Sequence, residues 1–157
     1  MVALSLFCMD IAARQAVEDA VVRMFVATDE RDWPTVESCF TDPFILDMTS
    51  MTGGSPAMMT PRQVSATWAN GFKTLDHIHH QVGNFRTTIN GNHAKVRCYG
   101  IAFHYRASIA TSMKSRTFVG TYEIDLSSQS DRWLISRLKF NLKFIEGNLE
   151  LERELEC

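Results

Sequence analysis

The sequence predicts a single α+β domain in which three N-terminal helices pack on a strongly curved, mostly antiparallel sheet and leave an internal apolar pocket. Three observations predict it. Up to Phe72 the chain carries apolar residues at helical spacing and helix-start signals, whereas from His77 onward it holds long segments rich in β-branched and aromatic residues. A hairpin signal, Asn90-Gly91, and a polar run, Ser127 to Asp131, divide those later segments. Strands of this length must twist and coil, and helices fill the concave face of such a sheet only in part.

The first helix is predicted from Asp10 to Thr28, where Val17, Ala20, Val21, Met24, Phe25 and Thr28 recur at intervals of three and four. The apolar start Val2 to Met9 reads as its lead-in. It lacks a basic n-region and ends at Asp10 without a small-residue cleavage site, so a signal peptide is not expected. Asp32 has the chemistry of an N-cap and Pro34 suits a first turn, so a short second helix is predicted to end near Thr41 and Asp42, burying Val36 and Phe40. Phe44 to Met48 suits a brief strand. Thr49 to Met59, with two glycines and a proline, is predicted to be a loop. Thr60-Pro61-Arg62-Gln63 is a capping box, starting a third helix that runs to about Phe72 and buries Val64, Trp68 and Phe72. Four strands are then predicted: His77 to Ile89, Ala94 to Arg106, Arg116 to Leu126 and Trp133 to Ile145. The tail from Glu146, with alternating Leu and Glu, suits a last helical turn, a solvated end or a partner-binding arm, and the solvated end is the preferred reading.

Composition narrows the functions. A chain of 157 residues, 45% of them hydrophobic, has the size and burial capacity of one domain, here 1–157 with a lead-in at 1–9 and a tail at 149–157. A net charge of -2 with interspersed signs offers no basic field for nucleic acid or an anionic membrane surface. No apolar run approaches the ~20 residues of a membrane-spanning helix. Cys8, Cys39, Cys98 and Cys157 include no CxxC pair, which argues against a zinc framework or a redox motif and for a reducing, cytoplasmic setting. No cofactor is expected.

Local motifs then carry a resemblance. Ala27-Thr28-Asp29-Glu30-Arg31-Asp32-Trp33, Cys39-Phe40-Thr41-Asp42, His80-Gln81-Val82-Gly83-Asn84, Asn90-Gly91-Asn92-His93-Ala94 and Arg132-Trp133-Leu134-Ile135 occur in this order over about Asp10 to Asn148. In content and order they resemble the nuclear-transport-factor-two-like superfamily, and within it the SnoaL-like branch. That superfamily includes scytalone dehydratase, hexachlorocyclohexane dehydrochlorinase, steroid isomerases, polyketide cyclases, small subunits of ring-hydroxylating dioxygenases and proteins without catalytic activity, so the resemblance implies a fold more firmly than a reaction.

By motif position, the resemblance implies that His80 and Asp29 form a proton-transfer dyad. An imidazole accepts a proton near neutral pH, and a carboxylate on its other nitrogen fixes the tautomer and stabilises the imidazolium. Asp29 falls at the C-terminal end of the first helix, where the macrodipole disfavours a carboxylate, so something else must favour it there. The alternative is a residue that merely starts the loop before Asp32. His77 and His79 suggest a metal pair with His80, but strand alternation points His80 away from the other two, and no metal site is expected. The same alternation puts Asn84 on the face of His80. On the next strand His104 groups with Cys98, Gly100 and Ala102, opposite Tyr99, Ile101, Phe103 and Tyr105. It reaches the pocket only if that small-residue face meets the helices.

Trp68, Phe72, Tyr99, Tyr105, Phe118 and Phe140 are candidates for an aromatic wall around a flat or cyclic ligand, and Asn84, Arg97 or Arg137 for holding an oxygen or a carboxylate. The four methionines between Met48 and Met59 suit either a pocket mouth or a surface loop. The leading expectation is a cofactor-independent dehydratase, isomerase or cyclase acting on a small apolar cyclic compound. The alternative is a non-catalytic binding or assembly module, including a dioxygenase-small-subunit-like role. The partners expected are a small-molecule ligand and a second copy of the chain, docked through the outer sheet face.

Overall fold

The computed structural model describes residues 2–152, with side chains from residue 11 onward. Helix α1 (Val2–Asp29) is followed by α2 (Trp33–Glu37), strand β1 (Phe40–Asp47), α3 (Thr49–Thr52), β2 (Ala57–Met59), α4 (Pro61–Gly71) and four long strands. These are β3 (His77–Asn90), β4 (His93–Tyr105), β5 (Ser115–Gln129) and β6 (Arg132–Gly147). They form one six-stranded sheet in the order β2-β1-β6-β5-β4-β3, antiparallel except where β1 runs parallel to β6. This is the predicted α+β class, with the helices on the concave face. Among the described residues no helix is long and apolar enough to cross a membrane.

The end of α1 fixes how the helix meets the sheet. Arg31 adopts a left-handed conformation, with φ 56°. The Asp32 and Arg31 amides donate to the carbonyls of Ala27 and Thr28 at 2.9 and 3.1 Å, closing a Schellman-type cap that makes Asp29 the last helical residue. A left-handed non-glycine residue costs roughly 1–2 kcal/mol. The Arg31 guanidinium offsets this by donating to the carbonyls of Leu75 at 2.5 Å and Phe72 at 3.4 Å, which ties the end of α1 to the segment leading into β3.

The core lies between α1 and the sheet. Val17, Val21, Met24 and Phe25 meet Val96, Cys98, Tyr122, Ile124, Leu126, Ile135 and Leu138. Small inward residues on β4 make the space for this. A side chain at Gly100 would come within 2.2 Å of the Tyr122 ring, so the absence of one lets Tyr122 lie across the strand.

Four expectations are corrected. The second helix ends at Glu37 rather than near Thr41 or Asp42, because the Cys39 carbonyl and Phe40 join the parallel ladder with Ile135, and a full ladder outweighs one more helical turn. The segment 49–59 is more ordered than a loop. Ser50 donates to the Phe140 carbonyl at 2.6 Å and accepts from the Leu142 amide at 2.9 Å, pinning α3 to β6, while β2 pairs with β1. β3 carries a bulge between Gly83 and Arg86 that contains Asn84 at φ 55°. Finally, the tail is docked in part: Leu149 is exposed, but Leu151 is fully buried with Leu75, Ile78 and Ile109. Tail residues 153–157 lie outside the described residues.

Candidate functional site

Asp29, the last residue of α1, faces the N-terminal half of β3. Its Oδ1 lies 2.6 Å from His80 Nδ1, and its Oδ2 accepts the His80 backbone amide at 2.7 Å. Both side chains are largely withdrawn from water, 11% exposed for His80 and 16% for Asp29. The two hydrogen bonds supply what the helix dipole denies: a carboxylate at a helix C-terminus is disfavoured, and two donors from β3 satisfy it. With Nδ1 engaged, Nε2 is the His80 nitrogen left for a ligand. The ring is steadied by Phe25, with centroids 5.3 Å apart.

His80 borders a cavity of about 250 Å³ enclosed by Trp68 and Phe72 of α4, Ala102 and His104 of β4, Phe118 and Tyr122 of β5 and Phe140 of β6. Leu46, Met48, Met51, Thr52 and Thr67 complete its rim. A smaller recess of about 70 Å³ continues from it toward Met24, Phe25 and Thr28. The larger space is near the small end of the ~300–1,000 Å³ usual for ligand sites, and an apolar lining with few polar groups is the usual construction.

The structure brings together most of the predicted residues. His80, Asp29, His104, Trp68, Phe72, Phe118 and Phe140 converge on the cavity, and the methionines divide: Met48 and Met51 reach its rim while Met58 is exposed. His104 is resolved inward, only 7% exposed.

Five predicted residues, Asn84, Tyr99, Tyr105, Arg97 and Arg137, do not line the cavity. Asn84 is exposed, because the β3 bulge inserts one extra residue between His80 and the second half of the strand and breaks the alternation that would have put both on one face. Tyr99 is 53% exposed on the outer sheet face, under the Lys143 ammonium at 4.7 Å from the ring centroid. Tyr105 is outward too, stacked on His77, as Phe103 is on His79. His77 and His79 thus stand opposite His80, and among the described residues no three His, Cys, Asp or Glu side chains are grouped to hold a metal. Arg97 and Arg137 border a groove on the sheet away from the cavity, and Arg137 pairs with Asp47 at 3.1 Å.

Sequence reasoning missed Tyr122. It lines the cavity, is 5% exposed, and is packed between Phe25 and Phe140 at 4.8 Å from each. Burial, with the charges of Cys98 and Asp29 adding to it, pushes its phenol well above the ordinary tyrosine range, so it remains a hydrogen-bond donor at any physiological pH. The available signal was the β5 alternation, which sets Tyr122 on the face of Phe118.

The second missed residue is Glu152. Its Oε1 lies 2.7 Å from His104 Nδ1, and its Oε2 is bonded to the Arg116 guanidinium. Burial acts to raise the Glu152 carboxyl, but the hydrogen bond from His104 and the Arg116 charge outweigh it, and the net shift is below the ordinary value of 4.5. A carboxylate whose folded value is depressed adds stability above its unfolded value, and loses it as pH falls through the folded value. The melting temperature of the parent chain should therefore exceed that of Glu152→Gln at pH 7, and the gap should close in acid below pH 4.5. A gap unchanged on acidification would contradict this.

The comparisons with known proteins agree with the fold. The profile of the SnoaL-like domain family matches residues 9–139. Among solved structures, the Kfla4162 protein from Kribbella flavida is 22% identical with a TM-score of 0.84, covering 90% of this chain and 97% of its own. A protein from Novosphingobium aromaticivorans, provisionally named a scytalone dehydratase, is 13% identical with a TM-score of 0.74, covering 100% and 95%. The hexachlorocyclohexane dehydrochlorinase LinA-type3 from Novosphingobium barchaimii is 13% identical with a TM-score of 0.73, covering 89% and 92%. No curated protein sequence matches the chain. With a family profile that spans most of its length, the chain belongs to the SnoaL-like domain family.

Proposed function

We propose that the cavity is the active site of a cofactor-independent lyase or isomerase that removes a proton beside a carbonyl group of a small, mainly apolar cyclic compound, with a hydroxyl on the neighbouring carbon as the leaving group where the reaction is an elimination. The observation that carries this reading is the His80 Nδ1 to Asp29 Oδ1 contact of 2.6 Å at the wall of an apolar cavity. His80 Nε2 takes the proton from carbon. The electron pair of that C–H bond becomes the carbon–carbon double bond of an enolate, and Asp29 stabilises the imidazolium that results. The proton then returns to a different carbon in an isomerisation, or leaves with a departing hydroxyl as water in an elimination. Tyr122, which lines the cavity, donates to the enolate oxygen, a role for which Asn84 was a candidate. Trp68, Phe72, Phe118 and Phe140 supply flat apolar walls for a ring. The dehydratase and dehydrochlorinase names of two structural neighbours fit a reaction of this kind.

Exchange in heavy water tests the reading without a known substrate. A panel of cyclic ketones and hydroxylated cyclic ketones, incubated with the protein in D2O, should include compounds that gain deuterium at the carbon beside the carbonyl. His80→Gln should abolish that gain. Binding of panel members without deuterium incorporation would favour the non-catalytic module.

We also propose that two copies associate through the outer sheet face. By register Ile101, Val119 and Phe144 stand side by side across β4, β5 and β6, flanked by exposed Tyr99, Phe103 and Tyr105. An apolar strip of this kind on a solvated sheet face is the expected signature of a covered surface. Light scattering at micromolar concentration should give a dimer for the parent and a monomer for Phe144→Glu; a monomeric parent would reject the interface.

A further inference from the structure

The C-terminal turn touches a residue of the cavity wall: Glu152 meets His104. We propose that Glu152, delivered by that turn, is a positioning residue that fixes the tautomer and ring orientation of His104, so that the cavity presents a second carboxylate-held imidazole on β4, two residues along from the Ala102 that pairs with His80. For its catalytic meaning the inference rests on the function proposed above; as a statement about His104 it stands apart from it.

The geometry supports it at three levels. The His104 ring is clamped between Phe72, at 5.4 Å and nearly perpendicular, and Phe118, at 5.0 Å. Its Nδ1 faces Glu152 Oε1 at 2.7 Å, which leaves Nε2 as the nitrogen available to a ligand, the same nitrogen left free on His80. A carboxylate accepts and does not donate, so a neutral His104 in this contact must carry its proton on Nδ1. Glu152 is in turn held by Arg116, whose guanidinium also lies over the Phe118 ring at 4.7 Å and donates to the Leu149 carbonyl at 3.0 Å.

The turn itself is firmly docked. Leu151 is fully buried, its carbonyl accepts from Arg106 at 3.2 Å, and the Glu152 carbonyl accepts from Thr74 at 3.3 Å. The Asn148 amide donates to the Ser115 carbonyl at 2.9 Å. Glu152 does not line the cavity, so it acts through His104 rather than on a ligand. It also lies beyond residues 9–139, the part of the chain matched by the family profile, so the family assignment carries no information about it.

Long-range proton–nitrogen spectra of the full chain labelled with ¹⁵N-histidine, recorded at about pH 8.5 where a typical imidazole of pKa near ~6.5 is neutral, read each tautomer directly. His104→Gln and His80→Gln spectra assign the two rings. The parent should show His104 with its proton on Nδ1. Glu152→Leu should convert it to a mixture of tautomers or to the Nε2-protonated form, and Glu152→Gln, whose amide oxygen still accepts, should restore the parent pattern at least in part. The His80 signals should be unchanged in both variants and so report that the fold stands. An unaltered His104 tautomer in Glu152→Leu overturns the inference. If instead His80 in the parent lacks the Nδ1 proton, the proposed function falls while the role of Glu152 remains.

Discussion

Replacing His80 with alanine is expected to reduce proton removal by about 10²- to 10⁴-fold, the usual range for loss of a positioned general base. In barrier terms this is roughly 2.7–5.5 kcal/mol. The effect should fall on kcat more than on KM, because His80 occupies one part of a wall that is otherwise aromatic and aliphatic, and that wall supplies most of the contact with a ring. Asp29→Asn should give a loss of similar order for a different reason. An asparagine amide oriented to donate to Nδ1 would leave the proton of a neutral imidazole on Nε2, the nitrogen that has to be empty to act as a base. Neither change opens the core built by Val17, Val21, Met24 and Phe25, so melting curves should remain cooperative. Initial rates and deuterium incorporation, measured on the same preparations, check the prediction; parent-like incorporation in both variants would remove His80 from the chemistry.

The fold was legible because its signals are local and repeated. The capping box at Thr60 and Gln63 appears in the structure with both of its hydrogen bonds, and the four long strands start and stop within a few residues of their predicted ends. Short elements were harder. In Cys39 to Phe44 the helical spacing of Val36 and Phe40 competes with a parallel ladder to β6, a partner nearly a hundred residues away that no local pattern reveals.

Within the site, the pairing of His80 with Asp29 followed from motif positions, whereas alternation grouped His104 with the small residues of β4 but left open which face they occupy, and the structure sets it inward. Alternation misled at Asn84, since one bulge residue reverses the parity of everything after it. It misled at Tyr99 for a simpler reason: an aromatic residue on a two-faced strand says nothing about which face is covered. Glu152 was invisible, because its importance depends on a chain reversal after β6 that brings position 152 back over β4 and β5. Alternating Leu and Glu in the tail look like a solvated end until Leu151 is seen to be buried.

That reversal depends on Gly147, and Gly147→Val should be the most disruptive single change outside the core. Gly147 sits at φ +101°, where a residue with a side chain is strained by about 1–3 kcal/mol before any contact is considered. A Cβ there would lie 2.4 Å from the Ser115 carbonyl oxygen and 3.1 Å from the Arg116 Cα. Both are backbone atoms of β5, so no side-chain rotation can relieve the overlap; either the end of β6 separates from β5 or the turn departs. In both cases the Asn148 amide loses the Ser115 carbonyl, Leu151 leaves its apolar cluster, and Glu152 loses His104 and Arg116 together. Burial of a leucine side chain is worth roughly 1.5–3 kcal/mol, so the combined loss should be about 3–5 kcal/mol, larger than that of Glu152→Gln alone. Denaturant melts of the two variants measure the difference directly. The His80–Asp29 pair is anchored by α1 and β3, not by the turn, and should keep its hydrogen bonds, so Gly147→Val should lose stability and the His104 tautomer while His80 keeps its proton on Nδ1. A variant as stable as the parent would show that the turn is not held by the backbone conformation of Gly147.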